Sequence, residues 1–371
     1  VTAKQGAIAN YFTAMNISDK NIFLFDLTLP QLVDLLKSWN QPAFRAKQIW
    51  DWVYVKLAGS FDEMTDLPKA LRNKLKHEIT FTHLTPNIDL LSSDGWTRKI
   101  LFDLHDKTQV ETVLMGYEER RTACISTQAG CGLGCTFCAT GQAGLQRNIS
   151  AGEIVEQVLF FDRHLKKKKD KLTNLVFMGM GEPFANYKEV KRAVDILTNP
   201  DGYNFGARRI TISTVGLVPM IEKFAYENNQ VNLAVSLHAA TNELRETMLP
   251  INKKYPLEVL IPACRAYTEK THRRISFEWA LINNVNDTPE QAKSLVKLIK
   301  GILCHVNFIP LNPTLGYKGQ ESQWENIRKF REILTKNGIP NTLRIRRGID
   351  IHAGCGQLRQ EEVSRRAKLH V

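Results

Sequence analysis

Three of the chain's seven cysteines, Cys131, Cys135 and Cys138, lie within eight positions of one another in the stretch "GCGLGCTFCATGQAG", residues 130–144. The spacing is C-x3-C-x2-C, and Gly130, Gly132 and Gly134 free the intervening backbone to wrap around a bound group. A metal is the economical occupant. Structural zinc takes four protein ligands, usually as two closely spaced pairs, and no second cysteine pair stands nearby. Three thiolates suit an iron–sulfur cluster with one iron left open to a ligand from outside the chain. Zinc-bound or plain core cysteines are the alternative.

From residue 122 onward, strand-like and helix-like segments alternate six times. "TACIST" precedes "SAGEIVEQVLFFDRHL", where Ser150 and Glu153 have capping-box spacing. "NLVFMGM", "RRITIST", "VNLAVSLHA", "RISFEWALI" and "HVNFIPLN" each precede an amphipathic run. This order implies an α/β fold with a parallel sheet and right-handed crossovers, a partial (βα)6 barrel over residues 122–348. Active sites of such folds lie at the carboxyl ends of the strands. The cysteine loop, "GMGEP", "STVG", "SLHA" and "PLNP" all fall there.

The flanking segments read differently. Residues 1–80 look like a small helical accessory domain, with Leu32, Val33, Leu35 and Leu36 on one face and Phe44, Ile49, Trp52 and Val53 on another. Its Arg45, Lys47, Trp50 and Trp52 mix cations with aromatics, which suits RNA backbone and base stacking. Tryptophans in the core with cations turned to water is the more ordinary reading. Residues 81–121 alternate as strands and read as a β-rich link, and residues 349–371 form a C-terminal segment.

At 371 residues, 43% hydrophobic and 24% charged, the chain has the composition of a packed globular protein. A net charge of +12 suggests a polyanionic partner, although Lys166–Lys169 suits a solvated loop equally well. No apolar run approaches the length of a membrane span, and "VTAKQGAIANYFTAMNISDKN" carries no secretory signal, so a cytoplasmic location is expected. In a reducing compartment, clustered cysteines are more often metal-binding or catalytic than disulfide-bonded.

The cysteine motif, with Phe137 before its last thiol, resembles the radical S-adenosylmethionine (SAM) superfamily. In that superfamily the open iron of a 4Fe-4S cluster binds SAM and cleaves it reductively. Taken together, "GCGLGCTFCATG", "MGMGEPFANY", "STVGLVP", "SLHA", "PINKKYP" and "GCGQL" are similar to the dual-specificity RNA methyltransferases that make 2-methyladenosine in 23S ribosomal RNA and transfer RNA. Carbon 2 of adenine is a poor nucleophile, which is why that family uses radical chemistry. The resemblance implies that Cys131, Cys135 and Cys138 hold the cluster. It implies that Cys355 carries the methyl group as S-methylcysteine, two SAM being used per methylation. Cys124 then resolves the cysteine–RNA adduct through a transient disulfide with Cys355, and Glu111 is the proton acceptor. It places SAM against Gly181, Glu182, Ser213, Ser236, Leu237, His238 and Asn312.

Read without the family, Cys355 is a thiol in a mobile Gly-flanked tail, Cys124 a core residue starting the first strand, and His238 a structural histidine. Glu111 reads as an exposed strand position, and Cys264 and Cys304 as buried small hydrophobes. The family further implies an external electron donor of the flavodoxin or ferredoxin kind, no membrane, and a monomer. Where it typically has "DIDAACGQL" this chain has "DIHAGCGQL", with His352 and Gly354. The related resistance branch, which methylates carbon 8 of adenine, is the nearest rival, and Pro183 favours the C2 enzyme. A zinc-holding RNA-binding protein is the rival from another class.

Overall fold

Seven parallel strands lie side by side in chain order: β6 (Arg121–Cys124), β9 (Asn174–Phe177), β10 (Ile210–Thr214), β11 (Asn232–Ser236), β12 (Ile275–Leu281), β13 (Cys304–Pro310) and β14 (Asn341–Leu343). Each is followed by a helical segment that returns the chain to the start of the next, the last strand excepted. Sequential neighbours without strand exchange are what an open, partial barrel requires. The structure, a computed structural model, describes residues 22–227 and 229–358, so what was expected of residues 1–21 and 359–371 lies outside it.

The chain divides into two units between His83 and Leu84. In the first, β1 (Ile22–Phe23) pairs in parallel with β2 (Ile79–Thr80), and helices Leu29–Ser38, Phe44–Tyr54 and Lys69–Glu78 lie between them in sequence. Trp50 belongs to the core of this unit at 3% exposure, so it offers no face to a base. Trp52 is half-buried, with its indole nitrogen donating to Asp66 at 2.6 Å and Lys56 over its ring.

In the second unit, residues 81–121 do more than link. β3 (Thr85–Leu91), β4 (Thr97–Asp103) and β5 (Gln109–Gly116) form an antiparallel meander that joins the barrel sheet through β6. Both faces of β5 are covered. Thr112 meets Gln157 of helix Ala151–Lys166 at 2.6 Å, while Val113 and Met115 pack against Ile351, Ala353 and Leu358 of the C-terminal segment. Glu111 is therefore buried rather than exposed, at 2%, and pairs with buried Lys99 at 3.2 Å. Cys124 ends β6 instead of starting it, which puts its thiol at the carboxyl edge of the sheet. Cys264 and Cys304 are buried, as their apolar neighbours imply.

Helix Ala151–Lys166 is buried along most of its length and anchors this edge. Ser150 Oγ accepts from Glu153 N at 3.1 Å and Glu153 returns the bond to Ser150 N at 2.8 Å, closing the capping box. Glu153 also receives a two-pronged pair from Arg147, each contact 2.8 Å. Ser150→Ala removes one cap bond and is expected to lower stability by about 1 kcal/mol. Glu153→Ala removes the other cap bond and both bonds from Arg147, which keeps Asp106, and should cost more, about 2 kcal/mol. Urea unfolding of both variants tests this; equal losses would show that the Arg147 pair contributes nothing.

Candidate active site

The cysteine loop is closed by backbone bonds. Cys131 N donates to Gly144 O at 2.8 Å, and a Cβ on Gly130 would come within 2.0 Å of that oxygen, so only glycine permits the closure. Cys138 N donates to Cys135 O at 3.2 Å, and Thr136 N to Met248 O at 3.0 Å. Burial pushes the Cys131 thiol up to about 11 and the Cys135 thiol well above its ordinary value, and the neighbouring thiols add to both shifts. Cys138 is raised as well, first by burial. Two buried thiols and a half-buried one, whose ionised forms repel one another, become thiolates together only around a cation, so the donor set fits a metal group. Among the described residues no three His, Cys, Asp or Glu side chains are gathered closely enough for a single ion.

Beside the loop opens a cavity lined by Cys135 and Cys138 and by residues at the carboxyl ends of the strands. Gly181, Glu182, Ser213, Ser236, His238 and Asn312 all line it; Leu237 does not, being fully buried, with its N–H donating to Glu278 O at 3.1 Å. Gly181 has φ +101°, and a Cβ there would strike Gln128, whose amide oxygen accepts from Glu182 N at 2.8 Å. Glu182 accepts from Phe184 N at 3.0 Å and Val215 N at 2.9 Å, and burial raises its carboxyl to about 7 despite those bonds. His238 adopts φ +59°, and its Nδ1 accepts from Ala280 N at 2.9 Å. Burial, with Arg245 adding to it, lowers its pKa to about 3, so the ring is neutral and its proton sits on Nε2. Asn312 donates to Cys355 O at 3.0 Å and leaves its buried Oδ1 without a partner, a free acceptor at a polar cavity wall.

Cys355 lines this cavity and also a second one, which Cys124 and Arg344 line as well. The segment that carries it is tied down rather than a mobile tail. Ala139 N donates to Gly356 O at 2.7 Å, Thr140 Oγ1 to Leu358 O at 2.6 Å, and Lys99 Nζ to His352 O at 3.3 Å. Burial pushes the Cys124 thiol up to about 12, Cys355 reinforces the shift and Arg344 opposes it. Glu111 lines neither cavity: it lies behind the wall, paired with Lys99. Arg344 and Glu278 were not anticipated. Their signals were an acid inside the apolar run "ISFEWAL" and the cationic "RIRRG" following the last strand.

Comparison with known proteins decides the family. Residues 22–80 match the ribosomal RNA large subunit methyltransferase N-terminal domain, and residues 125–299 match the radical SAM superfamily. A probable dual-specificity RNA methyltransferase RlmN from Chloroflexus aurantiacus is 49% identical over 90% of this chain and 92% of its own length. The chain belongs to the RlmN family. A second RlmN protein, from Myxococcus xanthus, is 47% identical over 95% of this chain and 98% of its own length. The crystal structure of a radical SAM methyltransferase from Sphaerobacter thermophilus superimposes with a TM-score of 0.90 at 50% identity, covering 92% of this chain and all of that one. As a radical SAM protein of the RlmN family, the chain uses a 4Fe-4S cluster and SAM. Its departure at Gly354 has a local cause: a Cβ there would come within 2.7 Å of the Asn312 amide. At His352 the backbone is engaged, its N–H donating to Ile349 O at 3.0 Å and its carbonyl accepting from Lys99 Nζ at 3.3 Å, and the side chain is exposed.

The fixed tautomer of His238 is testable. Nitrogen-15 NMR of histidine-labelled protein should show a neutral, Nε2-protonated ring down to about pH 5. A midpoint near the ordinary value of about 6.5 would overturn this assignment.

Proposed function

We propose that this protein methylates carbon 2 of adenosine in 23S ribosomal RNA and transfer RNA, with Cys355 as methyl carrier and Cys124 as resolving thiol. The observation that carries the reading is the position of Cys355 on the wall shared by two cavities, one bordered by the cluster cysteines and the other by Cys124. Cys131, Cys135 and Cys138 hold the cluster, which with SAM supplies the one-electron cleavage that a poor nucleophile such as adenine C2 requires. Glu182 receives the ammonium of SAM, and Ser213, Ser236 and the Nε2–H of His238 offer hydrogen bonds to its polar groups. Asn312 Oδ1 provides a further acceptor while its amide holds the Cys355 carbonyl.

Cys355 takes a methyl group to become a thioether, and the methyl carbon is then joined to the base, leaving RNA tethered to the chain. Release requires the Cys124 thiolate to attack the Cys355 sulfur: the disulfide forms, the carbon–sulfur electron pair goes to the methylene carbon, which takes up a proton to become the methyl group, and the C2 hydrogen of the adduct leaves as a proton. A thiol pushed up to about 12 is almost wholly protonated at neutral pH, and Arg344 is the cation placed to favour its ionised form. Glu111, paired with Lys99, which in turn holds His352 O, reaches the carrier segment through that chain of contacts. The proton-acceptor role belongs with this relay and not with direct contact at the cavity. The enzyme draws electrons from an external one-electron donor and works as a monomer in the cytoplasm. No helix among the described residues is long and apolar enough to cross a membrane.

Anaerobic reconstitution with SAM, reductant and either RNA, followed by nucleoside mass spectrometry, is expected to give 2-methyladenosine. Cys355→Ala should yield none. Cys124→Ala should accumulate a covalent protein–RNA species visible as a denaturing-gel shift. Production of 8-methyladenosine alone would assign the chain to the resistance branch, and cluster-loaded protein that cleaves SAM but methylates neither RNA would refute the substrate assignment.

The role of Glu182 predicts a pH dependence. Its carboxylate exists above about 7 and is lost below, so SAM affinity should fall about tenfold per unit as pH drops below that value. Glu182→Gln should bind SAM weakly and without this slope. Calorimetric titration of cluster-loaded protein between about pH 6 and about pH 8 makes the comparison.

A further inference from the structure

Arg245 lies in helix Asn242–Met248 and is completely buried, at 0% exposure. Its guanidinium donates to Leu237 O at 3.2 Å, Asn252 Oδ1 at 2.9 Å, Tyr255 O at 3.5 Å, Val215 O at 2.7 Å and Ser236 O at 3.4 Å. Every acceptor is uncharged. A cation taken this far from water without an anion is costly, so its retention calls for a negative partner.

The ionisable groups around it narrow the choice. The neighbouring Cys264 thiol is pushed up to about 12 by burial and is neutral at ordinary pH, and His238 is held neutral. Glu182 stands one peptide away, accepting from Val215 N while Arg245 donates to Val215 O. The remaining neighbour is the cysteine loop: Cys135 packs in one apolar cluster with Met248 and Leu249, at the end of the helix that bears Arg245. The helix bearing Arg245 is docked on the cysteine loop itself: Thr136, next to Cys135, donates its N–H to Met248 O at 3.0 Å and its hydroxyl to Thr247 O at 3.4 Å.

We propose that Arg245 is the fixed counter-charge of the iron–sulfur centre, placed behind Cys135 so that it favours the reduced, more negative state and raises the reduction potential. This rests on the reading of Cys131, Cys135 and Cys138 as cluster ligands. Arg245 does not line the SAM cavity, so it acts through the charge it sets beside the cluster and not by touching substrate. The five carbonyl contacts hold the guanidinium in place without neutralising it. Reduction adds one electron to a group whose ligands are anionic, and a buried cation stabilises the product more than the reactant.

The test is an anaerobic redox titration of the cluster, followed by electron paramagnetic resonance without SAM, on the full chain and three variants. Arg245→Gln removes the charge and Arg245→Lys keeps it. Asn252→Asp leaves the arginine in place but converts its 2.9 Å acceptor into a carboxylate, neutralising the cation at nearly constant shape. Arg245→Gln and Asn252→Asp are expected to lower the reduction equilibrium constant at least tenfold, about 59 mV more negative for a one-electron couple, with Arg245→Lys near the parent. Should Arg245→Gln fail to take up iron and sulfide, Asn252→Asp against Arg245→Lys decides. Unchanged potential in Asn252→Asp, or a shift in Arg245→Lys as large as in Arg245→Gln, would overturn the proposal and leave Arg245 as a structural clamp. A parent chain that binds no cluster would instead overturn the reading of the three cysteines.

Discussion

The carboxyl edge of the sheet is organised around three closely spaced thiols, two buried and one half-buried, that can ionise together only with a cation among them. Burial raises them, and their mutual repulsion raises Cys131 and Cys135 further. The fold accepts this because the loop closes on itself through Gly130 and Gly144 and because short helices, not solvent, back it. Most other features near the site follow from that constraint. Ionisable neighbours are either held neutral, as His238 is, or satisfied by backbone donors, as Glu182 is.

Parallel topology supplies the remaining geometry. Strands that run the same way present all their carboxyl ends on one rim, so residues far apart in sequence meet over the cysteine loop. Their side chains extend a cavity from Cys135 and Cys138 to Asn312 without any single loop having to be long. The antiparallel meander β3–β5 completes the arrangement from the other side. It packs on the C-terminal segment through Val113 and Met115, and that packing fixes where Cys355 can stand.

The methyl-carrier candidate is thereby constrained twice, by hydrogen bonds to the cysteine loop and by apolar contact with β5. A thiol that must meet SAM on one side and a second thiol on the other gains from a place on a shared wall, because neither encounter needs a large movement. Arg344 stands in the second cavity, where its charge bears on both Cys355 and Cys124 and on buried Glu278. The cation there favours the thiolate of Cys124.

Much of this was legible in the chain itself. Alternating strand and helix patterns determined a parallel sheet with its motifs at one rim, and the cysteine spacing determined a metal-binding loop, because both depend on local periodicity and ligand chemistry. The collected motifs carried the family. Tertiary structure alone decided what depends on non-local packing. Glu111 is buried and paired with Lys99 because the sheet edge is covered on both faces, which no single strand pattern reveals. Cys124 is at the end of its strand and not its start because β6 stops at the rim. Trp50 is core while Trp52 is half-exposed, since the register of one helix against its neighbours separates two residues of the same type. Arg245 and Arg344 were unremarkable as residues, and only folding put the one on a helix docked against the cysteine loop and the other in the cavity that Cys124 and Cys355 line, because charge matters through distances that sequence order does not set.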